Sequence, residues 1–471
     1  MSTWLTGLST RVTDLLSRRP EKIIVFRKVL IANRGEIALR VMRACRDLGI
    51  ATVAVYSEAD ADAPHALGAD ERVLIGPPPA RESYLDADRI VRAAKQTGAE
   101  AIHPGYGFLS ERAEFARLCG EAGLVFIGPR AESIEKMGSK AQARTLMQRA
   151  GVPVVPGSEG PVQTIEAAKK AAIETAYPVF IKASGGGGGL GMQRVQDEAA
   201  LEKAFPAATA RAASLFGDGA VYIEKCIEAP RHVEFQIFGD GDGNLIHLYE
   251  RECTIQRRHQ KVIEETPAPG LTPALRARMG EAAIEAARAV DYLNAGTVEF
   301  LIDAEKNFYF IEMNTRLQVE HTVTEATCNV DLVHMQFQVA SGEPLALSQR
   351  EVRPEGHAIQ FRIYAENPAK NFMPSPGTIE KWEEPKGEGV RVDSGVAEGS
   401  VVSVYYDPLL AKLVVSGKSR EEAIERALNA LGNYRVEGIQ TNIDLHREVL
   451  QHREFQAGDF DTGFLYNRLK A

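Results

Sequence analysis

Residues 28–57, KVLIANRGEIALRVMRACRDLGIATVAVYS, read as strand, tight turn, helix and strand in succession. Residues 29–32 form a short apolar strand and Gly35 marks the turn. Ile37, Val41, Cys45 and Leu48 then fall on one helical stripe. Gly49 stands where such a helix stops. A helix over about 87–96 follows, and AEAIHPG and LVFIGP each supply a strand. Strands alternating with helices require a parallel sheet flanked by helices, so the chain opens with an α/β lobe. Its first turn, N-R-G-E-I, lacks the G-x-G-x-x-G phosphate fingerprint. The lobe is dinucleotide-fold-like without a dinucleotide signal.

A chain of 471 residues exceeds one ordinary hydrophobic core, so two to four lobes are expected. Lys and Arg number 55 against 64 Asp and Glu, a net charge of −9 that argues against nucleic acid as a partner. No run approaches the roughly 18 apolar residues of a membrane-spanning helix, so no membrane role is expected. The five cysteines are scattered, with no C-x-x-C pair, and read as reduced thiols of a cytoplasmic enzyme. Residues 1–27 read as an N-terminal extension. Trp4, Leu5, Leu8, Val12, Leu15 and Leu16 recur there at helical spacing among Arg11, Arg18, Arg19, Lys22 and Arg27. An organelle-targeting peptide has this pattern, but Asp14 and Glu21 favour a short helix docked on the protein itself or on a partner.

Three constellations carry chemistry. Gly185 to Gly189, with Gly191, follow an apolar strand ending near Lys182. Glycines let backbone N–H groups approach a phosphate, and the absent G-K-[ST] ending excludes a P-loop. In F-Y-F-I-E-M-N-T-R-L-Q-V-E, extended chain would put Glu312, Asn314, Arg316, Gln318 and Glu320 on one face. A hairpin through D-A-E-K-N would bring Glu299 beside Glu312, a hard-oxygen set suited to Mg²⁺. In R-H-V-E-F-Q-I-F, His232, Glu234 and Gln236 share a face. The run I-Q-R-R-H-Q-K gathers Arg257, Arg258, His259 and Lys261, which reads as an anion site in an acidic protein. Together they describe a site for ATP, carboxylate-held metals and a second anion.

At this point the chain resembles biotin carboxylase, a family of the ATP-grasp superfamily. The matching runs include KVLIANRGEIALRVMRAC, AIHPGYGFLSE, MGSKAQAR, IKASGGGGG, RHVEFQ, QRRHQKVIEE, FIEMNTRLQVEHTVTE and YYDPLLAKL, from about residue 28 to the C-terminus. The resemblance implies an ATP-grasp fold in parts: an N-terminal α/β lobe over 28–140, a linker and glycine-rich α+β lid over 141–227, a catalytic part over 228–345 and a mixed α+β C-terminal lobe over 346–471. It implies a ligase that makes carboxyphosphate from ATP and bicarbonate, with Mg²⁺ or Mn²⁺, and passes the carbon to biotin on a carrier protein.

By motif, Lys140, Lys182, Gly188 and Gly189 answer to the nucleotide phosphates, and Glu224, Lys225 and Ile227 to the adenine hinge. His232, Gln256 and His259 also belong to the ATP site; Glu299, Glu312 and Asn314 to the metal. Lys261, Arg316 and the backbone of Val319 match the bicarbonate pocket, Glu320 its base, and Arg362 the arginine that stabilises the biotin enolate. A carrier protein, a carboxyltransferase subunit and a homodimer are implied as partners. Leu190 stands where many relatives carry a basic residue. The chain shows no Met-Lys-Met carrier motif, so it reads as a free-standing subunit or a fragment of a longer polypeptide.

Overall fold

The structure, a computed structural model, describes residues 26–183, 192–216 and 219–470. The expectations for the N-terminal extension fall almost wholly outside the described residues, as do those for Gly188, Gly189 and Leu190. Among the described residues no helix is long and apolar enough to cross a membrane.

The opening segment folds as its pattern demands. Strand β1 (Lys28–Ile31) leads into helix α1 (Gly35–Leu48), which Gly49 ends in the left-handed conformation, φ 73°. Strands β2 (Ala51–Ser57), β3 (Glu71–Gly76), β4 (Ala101–His103) and β5 (Val125–Phe126) complete a parallel sheet in the order β3-β2-β1-β4-β5. β3 went unread in the sequence because only Ile75 among its residues is buried, so its apolar signal is weak.

Helix α2 (Lys140–Arg149) leads to a small lid. There helices α3 (Ile165–Thr175) and α4 (Glu198–Phe216) cover an antiparallel sheet of β6 (Val179–Ala183), β7 (Met192–Val195) and β8 (Val221–Lys225). The lid has its own core around Val179, Ile181, Leu201, Phe205 and Ile223.

The rest is organised by one eight-stranded antiparallel sheet. Its strands are β9 (Arg231–Gly239), β10 (Leu245–Arg257), β11 (Gln260–Thr266), β12 (Asn294–Ile302), β13 (Phe308–Asn314), β14 (His357–Tyr364), β15 (Val390–Ser394) and β16 (Leu409–Gly417). They run in the order β13-β12-β9-β10-β11-β14-β16-β15, so the catalytic part and the C-terminal lobe share a continuous sheet. Alternation sorts the faces. Val233, Phe235 and Ile237 of β9 enter an apolar core under helix α5 (Pro273–Arg288), while Glu234 and Gln236 face the other way among polar groups.

The first lobe is locked to this sheet by charge and by close backbone contact. Arg40 of α1, with its side chain only 1% exposed, reaches Glu325 (2.7 Å) and Asp331 (2.7 Å). Glu325 also accepts from Arg391, which holds Asp393, and Arg43 joins Asp393 at 3.0 Å. A Cβ at Gly395 would stand 2.5 Å from the backbone nitrogen of Glu36, so the chain after β15 passes directly against the start of α1. Gly395→Ala is therefore expected to force these lobes apart and lower the urea midpoint, a loss of about 1–3 kcal/mol typical of overpacking. An unchanged midpoint would show that the lobes are not locked there.

Candidate active site

One cavity of about 820 Å³ lies between the first lobe, the lid and the large sheet. Among the described residues it is lined by Lys140, Lys182, Glu224, Lys225, Ile227, His232, Gln256, His259, Lys261, Glu299, Glu312, Asn314, Arg316, Val319 and Arg362.

At the lid end Lys182 closes on Glu224, which stands on the neighbouring strand β8. Lys140, at the start of α2, lies 3.4 Å from Glu312. Lys225 lines the cavity, but its ammonium donates to the carbonyls of Ala176 (2.9 Å) and Tyr177 (3.2 Å), so its charge is spent within the lid.

Across the sheet, register sets four charged residues in a row. Arg251 pairs with Glu234, Glu234 with Glu299 and Glu299 with Glu312 on consecutive strands β10, β9, β12 and β13. The expected hairpin thus brings Glu299 beside Glu312. Asn314 shares their face and donates to Glu299 at 2.8 Å. His232 Nε2 lies 2.8 Å from Glu299, and its Nδ1 is 2.6 Å from Gln256 Nε2.

Two carboxylates and an amide oxygen in this arrangement fit Mg²⁺ or Mn²⁺, which take hard oxygen ligands. His232, Glu234 and Glu299 also bring ligand atoms within 4.8 Å of one another. That alternative is weaker for Mg²⁺, because Glu234 is already engaged by Arg251 (2.6 Å) and Lys261 (2.5 Å) and a ring nitrogen is a softer donor.

Lys261 is the centre of the deep end. Its ammonium meets Glu234 at 2.5 Å, Glu299 at 2.8 Å and Glu320 at 2.8 Å. Burial disfavours the ammonium, but the three carboxylates outweigh it and hold its pKa well above the usual lysine value. Burial likewise pushes the Glu320 carboxyl up, and Lys261, Arg362 and Arg251 together hold it well below the carboxylate range. Arg362 donates to Glu320 (2.9 Å) and to Glu264 (2.5 Å). Burial raises Glu264 to about 7 against the pull of Arg362, with Glu320 adding to the rise.

Two expectations need correction. The extended ladder does not run to Glu320. β13 ends at Asn314, and the chain then loops so that Glu320 occupies the N-cap position of helix α6 (His321–Cys328). The loop turns because Arg316 binds inward, donating to Asn314 Oδ1 (2.8 Å), Gln318 Oε1 (2.9 Å) and the carbonyl of Leu317. The side chains still converge, with Gln318 donating to Glu299 and the Val319 carbonyl accepting from Lys412 (3.0 Å).

The basic run also divides instead of forming one anion site. Arg257 pairs with Glu366 and Arg258 donates to Asn371, whereas Lys261 alone enters the acidic cluster and His259 stands at the cavity edge.

Several residues of the site went unassigned from sequence. Glu264 anchors Arg362, Glu111 accepts from Arg316 (2.9 Å), and Arg251 crosses to Glu234, Gln236, Thr297 and Thr324. A glutamate following Ile263 in an apolar strand was a signal that a partner existed, but not which one.

Comparison with known proteins follows the same lobes. Residues 25–134 match the family model for the biotin carboxylase N-terminal domain, 139–348 that for the carbamoyl-phosphate synthase L chain ATP-binding domain, and 360–467 that for the biotin carboxylase C-terminal domain. The chain is 55% identical to a biotin carboxylase of Halalkalibacterium halodurans over 95% of this chain and 98% of that one. It is 54% identical to biotin carboxylase 2 of Bacillus subtilis over 94% of this chain and 100% of that one.

Among solved structures, it is similar to the biotin carboxylase domain dimer of Hydrogenobacter thermophilus 2-oxoglutarate carboxylase, in complex with MgADP, ADP and bicarbonate. The TM-score is 0.89 and the identity 49%, over 93% of this chain and 97% of that one. A Campylobacter jejuni biotin carboxylase, in a β,γ-ATP complex, gives 0.90 and 47% over 93% and 98%. With the likeness running through all three lobes at this identity, the chain belongs to the biotin carboxylase family of ATP-grasp enzymes.

Proposed function

We propose that the chain catalyses the first half-reaction of a biotin-dependent carboxylase, the ATP- and bicarbonate-dependent carboxylation of biotin. The observation that carries this reading is a single cavity with two lysines, Lys140 and Lys182, near its lid and the Lys261–Glu320–Arg362 cluster at its depth.

Lys140 and Lys182 bind the nucleotide phosphates, His232, Gln256 and His259 border the ATP site, and Glu224, Lys225 and Ile227 receive the adenine. Glu299, Glu312 and Asn314 hold the Mg²⁺ or Mn²⁺ that offsets phosphate charge when it is bound. Bicarbonate sits against Lys261, Arg316 and the N–H of Val319. Glu320 takes its proton, and the freed oxygen attacks the terminal phosphorus of ATP as the bond to ADP breaks. Carboxyphosphate then yields CO₂ and phosphate. The released phosphate takes the N1′ proton, Arg362 stabilises the negative charge left on the ureido oxygen, and N1′ captures the carbon. A guanidinium suits that task because it keeps its charge at any working pH.

Lys261, Arg362 and Arg251, outweighing burial, make Glu320 a weak base in the ligand-free protein. Substrates supply the remedy: each anion that draws Lys261 or Arg362 away from Glu320 leaves its carboxylate more basic. Biotin reaches the site on a carrier protein, a carboxyltransferase subunit receives the product, and the enzyme works as a cytoplasmic homodimer.

Three outcomes follow. Glu312→Gln should abolish ATP turnover with the fold intact by circular dichroism, because it removes a hard anionic ligand. Near-normal turnover at ordinary Mg²⁺ would remove Glu312 from the ligand set. Glu320→Gln should depress bicarbonate-dependent phosphate release and carboxybiotin yield together, by about 10² to 10⁴-fold, whereas Arg362→Ala should spare much of the phosphate release and lose the carboxybiotin. Proportional loss of both activities in Arg362→Ala would place that residue before the biotin step. Finally, a biotinylated carrier should be carboxylated with far higher kcat/KM than free biotin, since docking raises the effective concentration; equal efficiencies would contradict a carrier-borne substrate.

A further inference from the structure

The wall of the cavity on the Arg362 side ends in an apolar, exposed rim. Tyr364, Tyr405, Tyr406, Asp407 and Leu409 continue that wall outward from Arg362. Tyr405 lines the cavity and is also 52% exposed, so the cavity opens at this residue. Val404 beside it is 73% exposed and Val401 71%. In the first lobe Leu85, 37% exposed, donates its N–H to the carbonyl of Ala80, itself a cavity residue.

Scattered exposed apolar residues are ordinary, but a run of them at the mouth of a substrate cavity marks an interaction surface. The rim is also held in place. Tyr406 donates to the carbonyl of Pro78 (2.6 Å) and lies 2.5 Å from Ser57 Oγ, which ties the 401–407 segment to the 78–85 segment of the first lobe. Arg34 stacks on the Tyr406 ring at 4.3 Å and is gripped by Asp60 through two hydrogen bonds of 2.7 and 2.8 Å. A surface fixed in this way binds without the cost of ordering a loop.

We infer that Val401, Val404 and Tyr405, with Leu85 of the first lobe, form the docking surface for the biotinylated carrier. To match the exposed valines, the carrier surface around its biotinyl lysine must itself be apolar. Its apolar tip covers the rim while the tethered biotin passes Tyr405 toward Arg362. The inference rests on the proposed reading of Arg362 as the biotin end of the cavity. Apolar contact gives the carrier affinity that free biotin lacks, and the preformed rim sets the direction in which the tether enters.

The test compares a purified biotinylated carrier domain with free biotin as substrates for Val401→Asp and Val404→Asp, neither of which lines the cavity. Ile173→Asp, at a 63% exposed site on lid helix α3, is the control. The rim variants should raise KM for the carrier by about tenfold or more, the weight of one desolvated interface anchor. Their kcat/KM for free biotin, bicarbonate-dependent ATP hydrolysis and sedimentation mass should match the wild type, and Ile173→Asp should match it on both substrates.

Wild-type KM for the carrier in the rim variants would overturn the docking surface, as would an equal loss on free biotin. A changed sedimentation mass would show a contact between copies instead. Failure of the wild type on both the carrier and free biotin would sink the proposed activity itself, a result distinct from all of these.

Discussion

Everything at the deep end of the cavity depends on Lys261, an ammonium ringed by Glu234, Glu299 and Glu320 on separate elements of the sheet and its loops. Three carboxylates so buried repel one another and are poorly solvated. Lys261 among them, with Arg251 and Arg362 flanking the group, holds Glu299 and Glu320 ionised, whereas burial still raises the carboxyl of Glu234. Removing one partner from such a cluster costs about 3–5 kcal/mol, since it strands a buried charge. The cluster is therefore a constraint on the fold as much as a chemical device. It fixes the relative positions of β9, β11, β12 and the start of α6.

The same cluster explains why the large sheet is continuous. Arg362 on β14 belongs to the C-terminal lobe, whereas Glu320 and Lys261 belong to the catalytic part. Glu264 of β11 holds Arg362 from the adjacent strand, so β11 and β14 pair directly and carry Arg362 to Glu320 and Lys261 without a hinge between them. The first lobe reaches the site through Glu111, which accepts from Arg316, and through α1, whose Glu36 meets Lys412 at 3.2 Å. Lys412 in turn donates to the Val319 carbonyl, linking lobe packing to the backbone that precedes Glu320. The lid stands apart with its own core and contributes Lys182 from the strand that leads into the glycine run.

Much of this was legible because periodicity is local. The α/β opening followed from the stripe in α1 and its glycine stop. The pairing of Glu299 with Glu312 followed from two apolar strands around a short turn. What local pattern does not carry is partnership over distance. Glu264 and Arg362 are nearly a hundred residues apart in the chain, and nothing in either segment names the other. The loop after Asn314 also defeated alternation, because Arg316 turns inward to three acceptors and replaces strand pairing with side-chain bonds. Four basic or potentially basic residues close in sequence suggested one anion site, yet separate partners at Glu366 and Asn371 drew Arg257 and Arg258 away.

On the proposed reading, bicarbonate itself is phosphorylated in this cavity before biotin is carboxylated. The direct test of that reading is to run the enzyme with ¹⁸O-labelled bicarbonate, ATP and free biotin in unlabelled water, at times short relative to bicarbonate exchange, and to analyse the released phosphate by mass spectrometry. If a bicarbonate oxygen attacks the terminal phosphorus, phosphate must carry one labelled oxygen for each carboxybiotin formed. Phosphate with no label would mean that water or biotin accepts the phosphoryl group, and the assignment of Lys261, Arg316 and Glu320 to bicarbonate activation would be contradicted.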